Sequence, residues 1–420
     1  MSNVELFDFQ KKILDDTSDK NHVAYYLDMG LGKTFVGSEK MYSLGAKINL
    51  VICQKSKIDD WIEHFETHYN MNVLDLTNPA QFDAFKLYSL PTKVGIINYE
   101  LVFRRPDLRE LRGFTLMLDE SSMIQNESAK RTKFILDKLH PENVVLLSGT
   151  PTGGKYEKLW SQLRLLGWRI SKTQFWEDYI TYYIDDSVGF PMKIPIGYKN
   201  VDKLKSKLRE HGAVFLKSDE ILDLPEQIFQ TIHIDTTPAY KRFKDKRVVK
   251  IDDHELVGDT TFKHLLYARQ LCGHYNQNKL EAFKTLIQSC DDRLIVFYNF
   301  NDELVELMRI CKDEHRPVST VNGDGRDLSA YESQEDSVTL IQYQAGAMGL
   351  NLQKASRIVY FTPPLSSELF EQSKKRTHRI GQKSTCFYYF LTCRRSVEQR
   401  IYSNLGEYRD YTDKLFEDGC

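Results

Sequence analysis

The chain is expected to adopt an α/β fold in which two mostly parallel sheets, each flanked by helices, are joined through a small helical insertion. Three observations carry that expectation. At 420 residues the chain exceeds what one hydrophobic core usually organises, so two domains are the natural reading. Two stretches, one ending near Leu147 and one opening near Arg293, alternate short β-rich runs with longer helical patterns, as a parallel sheet covered by helices does. The part between them is more helical and rich in aromatic residues.

In the first stretch the apolar runs His22–Leu27, Ile48–Cys53, Lys93–Asn98, Phe114–Leu118 and Asn143–Leu147 read as strands. Helices fill the gaps, one of them opening at Ser56 with the capping-box spacing through Asp59. Gly154 to Leu224 reads mostly helical, and Leu224-Pro225 makes a seam. The expected division is therefore 1–225, with a helical extension over about 153–224, and 226–420. In the second stretch Arg293–Tyr298, Pro317–Val321, Val338–Tyr343, Arg357–Phe361 and Thr385–Leu391 read as strands, with helical patterns after Asn301, Ser366 and Ser396. This is a second α/β layer structure.

Composition excludes more than it identifies. Hydrophobic residues at 41% and charged residues at 28% are too apolar for a disordered chain. Lys and Arg (57) nearly balance Asp and Glu (59), so attraction to a polyanion has to come from a local basic surface. The start of the chain lacks the basic-then-apolar order of a signal peptide, and no apolar run approaches the roughly 20 residues of a membrane span. No membrane partner and a cytoplasmic location are expected. Seven cysteines, none with zinc-ligand spacing, read as reduced thiols that mostly fill cores, with Cys272 and His274 too isolated to hold a metal.

Four segments carry chemistry. Asp28-Met29-Gly30-Leu31-Gly32-Lys33-Thr34 follows a predicted strand and leads into a predicted helix, the context a phosphate loop needs. Gly30 and Gly32 would let backbone N–H groups turn onto phosphate oxygens, Lys33 would reach the terminal phosphates and Thr34 would ligate Mg²⁺. Leu27 stands where the strict pattern wants Gly, so a glycine turn followed by a chance Lys-Thr is the alternative. Asp119-Glu120 ends another apolar run, facing the crevice where open α/β sheets bind ligands. Asp119 would hold Mg²⁺ through water and Glu120 would position and polarise an attacking water, the alternative being a solvated acidic loop. Ser148-Gly-Thr-Pro151 offers two hydroxyls, Ser148 and Thr150, able to bond the acidic pair, or else it is a Gly-Pro turn. In Arg376-Thr-His-Arg379-Ile-Gly-Gln382 the two arginines stand three apart. On a helical turn they would share a face and could neutralise charge spreading over a transferring phosphate. A solvated basic face or a plain phosphate contact is the alternative.

In order and spacing these segments resemble the Swi/Snf-like branch of the superfamily 2 helicases and translocases, related to the DEAD/DEAH-box ATPases. Phe9-Gln10 looks like the adenine-reading glutamine motif, and Asp28–Thr34 matches the family's phosphate loop almost residue for residue. Val51-Ile-Cys-Gln-Lys-Ser with Trp61, and Ile97-Asn-Tyr-Glu100, resemble the motifs that follow. In the second half Leu294–Phe300, Ala345-Gly-Ala-Met-Gly349-Leu-Asn-Leu352 and His378-Arg-Ile-Gly-Gln382 resemble the later ones.

What the resemblance implies is two RecA-like lobes with ATP and Mg²⁺ in the cleft. Gln10, residues 28–34 and Gly349 would bind the nucleotide, Thr34 and Asp119 the metal, and Glu120, Arg376 and Arg379 would serve hydrolysis. The implied partner is nucleic acid, most specifically double-stranded DNA held through phosphates. A double-stranded DNA translocase is the expected activity. A strand-separating DNA or RNA helicase is the second reading, for which no separating pin is recognisable in the helical middle. A nucleotide-dependent binding switch with little turnover is the third. Departures from the family are Ser121-Ser122 where Ala-His is usual, Gln342-Tyr343 where hydroxyl residues are usual, and Pro363-Pro-Leu-Ser-Ser in place of Trp-Asn-Pro. The compact chain suggests a minimal motor of bacterial or phage type.

Overall fold

The computed structural model describes residues 4–416 except Asn70, 88–91, 187–190, 222–223, 252–253, 347–349 and Ile380. The chain divides into two compact units, Met1–Ile221 with Asp410–Cys420, and Leu222–Arg409. Among the described residues no helix is long and apolar enough to cross a membrane.

The first unit is built on β1 (His22–Leu27), β2 (Ile48–Cys53), β3 (Asn72–Asp75), β4 (Lys93–Asn98), β5 (Phe114–Asp119), β6 (Asn143–Leu147) and a later strand, β9 (Ala213–Leu216). They lie in the order β3-β4-β2-β5-β6-β1-β9, every pairing parallel. β2, β4 and β6 are buried along their whole length. That is why they read as mostly apolar runs without polar alternation: helices cover both faces, and the polar residues they do carry, such as Asn49 and Lys93, are buried and hydrogen-bonded. The core draws on Leu50, Ile52, Leu116, Leu118 and Leu146.

Two expectations for this unit need correction. The helix expected to open at Ser56 is preceded by a tight turn, Lys55–Lys57, and begins at Ile58, with Lys57 rather than Ser56 at its cap and no side-chain cap bond. Ser56 is thus held inside the turn that Lys57 N–H closes onto Gln54 O (2.9 Å), so the Ser56/Asp59 box does not form. The 153–224 stretch is mixed rather than helical. It carries short helices at Trp160–Leu165, Lys172–Tyr179 and Val201–Glu210, but also an antiparallel hairpin, β7 (Ile180–Asp185) with β8 (Met192–Tyr198), and then β9. The hairpin sequence Ile-Thr-Tyr-Tyr-Ile is β-branched and aromatic and suits a pleated ribbon. β9 is only four residues long and is placed by its register with β1, Ala213 against Ala24 through Leu216 against Leu27, a pairing no local pattern reveals.

The second unit pairs β10 (Gln227–Ile234), β13 (Leu294–Tyr298), β14 (Val318–Asn322), β15 (Gly325–Asp327), β16 (Val338–Gln342), β17 (Arg357–Tyr360) and β18 (Cys386–Cys393). A separate two-stranded ribbon is formed by β11 (Val248–Ile251) and β12 (His254–Val257). The sheet order is β10-β18-β17-β13-β16-β14-β15, parallel except for the β14–β15 hairpin. The five strands expected from sequence form its middle. The edge strand β10 pairs with β18 over eight residues but exposes Ile228 and Phe229, so its pattern is weak.

Candidate nucleotide site

Strands β5, β6 and β1 are consecutive neighbours in a parallel sheet, so the segments that follow them emerge at one edge. β1 runs into residues 28–34, β5 ends on Asp119 with Glu120 next, and β6 runs into Ser148–Pro151. Three of the four chemical segments are therefore gathered by topology alone.

After β1, Gly30 (φ 87°) and Gly32 (φ 71°) take left-handed backbone, open to glycine at little steric cost. Gly32 is the N-cap of a helix, Lys33–Ser43, and lacks any capping side chain. The first N–H groups of that helix are left for an outside acceptor at the positive end of its dipole, which is an anion site. The loop is braced from the helix Asp8–Asp16: Gln10 Nε2 donates to Leu31 O (2.9 Å), while Phe7 N–H donates to Gln10 Oε1 (3.0 Å). A Cβ on Gly32 would stand 2.3 Å from Gln10 Nε2. Lys33 Nζ donates to Leu27 O (2.9 Å) and Asp28 O (3.4 Å), so the lysine lies over its own loop. Asp28 is held from a place the sequence did not suggest. Its Oδ2 accepts from Ser218 Oγ (2.6 Å) and Ser218 N–H (3.3 Å), just past β9, and its Oδ1 from Met29 N–H (2.8 Å).

The acidic pair is rigidly placed. Trp61 Nε1 donates to Asp119 Oδ2 (2.9 Å), and Tyr99 OH donates to the main-chain oxygens of Asp119 (2.9 Å) and Glu120 (3.3 Å). Burial pushes the Asp119 carboxyl up, opposed by the Trp61 hydrogen bond and by the positive charges of Lys57 and Lys33. Glu120 has φ 51°, the left-handed region that costs a non-glycine residue roughly 1 kcal/mol or more. A turn that aims a carboxylate out of a strand end is a reason to hold that strain. Ser148 Oγ donates to Glu120 Oε2 (3.2 Å) and accepts from Thr150 N–H (3.2 Å). Ser148 thus bonds the acidic pair, whereas Thr150 Oγ1 is buried with no partner among the described residues.

Gln162, on the helix Trp160–Leu165, escaped the sequence reading because a single Gln in Leu-Trp-Ser-Gln-Leu-Arg-Leu carries no signal. It is fully buried. Its Oε1 accepts from Ser121 Oγ (2.7 Å) and Tyr26 OH (3.0 Å), and its Nε2 donates to Pro151 O (2.8 Å).

The donor set suits a nucleotide with a hard cation. Thr34 and Asp119 supply hydroxyl and carboxylate oxygens of the kind Mg²⁺ takes, and the uncapped helix start with Lys33 suits the phosphates. Cys272, Cys393 and Glu398 in the second unit also lie within 4.8 Å of one another. There the carboxylate is already bonded to Lys279 Nζ (2.6 and 2.8 Å) in a fully buried pair, and burial pushes the Cys272 thiol up. Cys272, isolated in the sequence, is thus brought beside Cys393 and Glu398 by the fold, and the charge of that group is taken up in the internal Lys279–Glu398 ion pair.

The arginine segment differs from its expected form. The helix Ser367–Lys374 ends before it, so Arg376 and Arg379 sit in turns and do not share a helical face. The segment is tied down by Gln382 Nε2, which donates to the carbonyls of Gln353 (3.1 Å), Ala355 (3.0 Å) and Thr377 (3.3 Å), while Arg376 O accepts from Leu352 N–H (3.1 Å). Those bonds replace helical ones. Arg376 is 5% exposed. Arg379 is part-exposed and donates to Asn351 Oδ1. Gly349 lies outside the described residues.

Residues 26–277 match the family model described as SNF2-related domain, and residues 278–381 match that of the helicase conserved C-terminal domain. A Caenorhabditis elegans homolog of SWI/SNF-related matrix-associated actin-dependent regulator of chromatin subfamily A-like protein 1 is 22% identical, over 96% of this chain and 61% of its own. The Saccharomyces cerevisiae ISWI chromatin-remodeling complex ATPase ISW1 is 23% identical, over 91% of this chain and 38% of its own. An uncharacterized ATP-dependent helicase of Mycoplasma pneumoniae is 22% identical, over 93% and 40%. The chain thus spans between about two fifths and three fifths of these curated relatives. Among solved structures, the Sulfolobus solfataricus SWI2/SNF2 ATPase core in complex with dsDNA aligns with a TM-score of 0.47 at 19% identity, covering 98% of this chain and 93% of that one.

Proposed function

Since the chain belongs to the SNF2-related family of helicase-like ATPases, we propose that it hydrolyses ATP and uses the cycle to move along double-stranded DNA. The observation that carries the first half is the grouping of an uncapped, glycine-shaped phosphate loop with Asp119, Glu120 and Ser148 at one edge of the first sheet. In this reading the helix start at Lys33 and Thr34 takes the phosphates, and Lys33 leaves its loop carbonyls to do so. Thr34 and Asp119 would hold Mg²⁺, which when bound supplies charge neutralisation at the phosphates. Glu120 orients a water and takes up its proton, with Ser148 keeping the carboxylate in place. Arg376 and Arg379 are proposed to offset developing negative charge during transfer.

Movement on duplex DNA is supported by the likeness to remodelling ATPases and by the later motifs of the second unit. The test measures ATP turnover on duplex DNA, single strands and RNA at matched, stated salt, since phosphate-dominated binding weakens steeply as salt rises. Displacement of a third strand from a triplex is measured alongside. Duplex-stimulated turnover with triplex displacement is expected, and an ATPase indifferent to duplex DNA would refute the proposal.

One structural feature favours a second reading, strand separation. The β7–β8 hairpin stands apart from the main sheet and exposes Tyr183, Ile184, Met192 and Ile196, a ribbon able to part stacked bases. Release of a labelled strand from a forked duplex, lost when Tyr183 and Ile184 are replaced by Ser, would select that reading over simple translocation.

A further inference from the structure

We infer that Gln162 is a positioning residue through which the state of the acidic pair reaches the segment after Thr150, and that the Ser148 bond alone does not carry it. The inference rests on the ATP reading of the same site. The geometry is a closed ring. Glu120 accepts from Ser148 Oγ (3.2 Å), Ser148 Oγ in turn accepts from Thr150 N–H (3.2 Å), and Pro151 follows in the chain. Pro151 O accepts from Gln162 Nε2 (2.8 Å), and Gln162 Oε1 accepts from Ser121 Oγ (2.7 Å), the residue next to Glu120. The amide orientation is not arbitrary. A carbonyl such as Pro151 O can only accept, so the NH₂ must face it, leaving the oxygen for the two hydroxyls.

Three features set this apart from ordinary core packing. Ser121, Gln162 and Tyr26 are all fully buried, and in a low-dielectric interior an unmade bond is expensive, so displacement at one end is passed to the other. Ser121 stands where the resembled family usually has Ala, a side chain that cannot make this bond. The ring also leads outward. Gly154 O, three residues beyond Pro151, accepts from Tyr198 OH (3.2 Å) at the base of β8, and Tyr198 stacks on Tyr156 with ring centroids 4.3 Å apart. A shift at Glu120 when it takes up a water therefore has a bonded route through Ser121, Gln162 and Pro151 to the foot of the exposed β7–β8 hairpin.

The test is amide hydrogen exchange of the full chain with and without a non-hydrolysable ATP analogue and Mg²⁺, followed at residues 28–36 and 150–158. In the wild-type chain the analogue is expected to slow both segments, by about tenfold or more. In Gln162→Leu and in Ser121→Ala it should still slow 28–36 but leave 150–158 unchanged. Gln162→Leu leaves buried partners unpaired, so Ser121→Ala, which removes one hydroxyl, carries the test if the first variant fails to fold. A merely structural Gln162 would alter melting without altering this ligand-dependent difference. Protection at 150–158 that survives in Ser121→Ala overturns the inference, as does a wild-type chain that responds at 28–36 alone. No response at 28–36 in the wild type identifies failure of the ATP reading itself, and the coupling falls with it.

Discussion

Replacing Gly32 by Ala is the perturbation whose consequences the structure specifies most fully. The residue has φ 71°, where an alanine costs roughly 1–2 kcal/mol relative to its preferred backbone. Its new Cβ would stand 2.3 Å from Gln10 Nε2, so the amide has to move. It then gives up its bonds to Leu31 O and from Phe7 N–H, each contributing about 0.5–1.5 kcal/mol. The sum is about 3 kcal/mol, and it falls on the loop rather than on the core, because Gln10 and Gly32 belong to the layer outside the sheet. If the relaxed loop no longer presents its N–H groups, that energy appears as about a hundredfold loss of nucleotide affinity. Titration with a fluorescent ATP analogue measures it. A Gln10→Ala background provides the control: the clash is gone, so Gly32→Ala should cost about tenfold less there. Wild-type nucleotide affinity in Gly32→Ala, or equal losses in both backgrounds, would refute the claim that Gln10 and Gly32 form one packed device.

The remaining predictions concern the acids and the basic residues. Lys33→Ala should abolish nucleotide binding or hydrolysis, whereas Glu120→Gln should bind normally and turn over about 10²-fold or more slowly; turnover near wild type in the latter would remove Glu120 from the chemistry. Arg379→Ala should keep ATP affinity within about tenfold while turnover falls by roughly 10², with melting unchanged because the side chain is part-exposed. Arg376→Ala should lose turnover and melt earlier as well, since Arg376 is buried, and normal turnover in both variants would make the arginines surface charge or backbone contacts. Glu303, buried at the start of the helix Asn301–Asp313, has its carboxyl pushed up to about 7 by burial, against hydrogen bonds from Asn299 N–H, Phe300 N–H and Thr362 Oγ1. The folded state therefore holds a proton that the unfolded state has released. Stability from this group is present below the ordinary carboxylate range and is lost as pH rises toward about 7. Urea midpoints measured from pH 5 to 8 should fall more steeply in the wild type than in Glu303→Gln, and parallel curves would exclude the assignment.

Burial of both sheet faces made the central strands legible from sequence: a run such as Leu50–Cys53 is apolar throughout, and the one polar side chain before it, Asn49, is buried with its amide donating to Ala46 O and Lys93 O. Residues 28–34 and the pair Asp119-Glu120 could be picked out for a related reason, since glycines, a Lys-Thr and two acids stand directly after those strands. What the sequence could not convey was anything held by distant partners. β9 is four residues whose identity as a strand depends on pairing with β1, and only that pairing brings Ser218 to Asp28. The β7–β8 ribbon was hidden in an aromatic stretch that reads as helix. Arg376 and Arg379 have helical spacing, yet Gln382 gathers the carbonyls around them into turns. Gln162 is the clearest case. One polar residue on an otherwise apolar helix face gives no local pattern, and its meaning appears only when folding sets Ser121, Tyr26 and Pro151 around it. Local patterning and backbone chemistry act over a few residues and can be read along the chain. Buried hydrogen bonds join residues far apart in sequence, here 11 to 136 positions, and only the tertiary structure decides which of them meet.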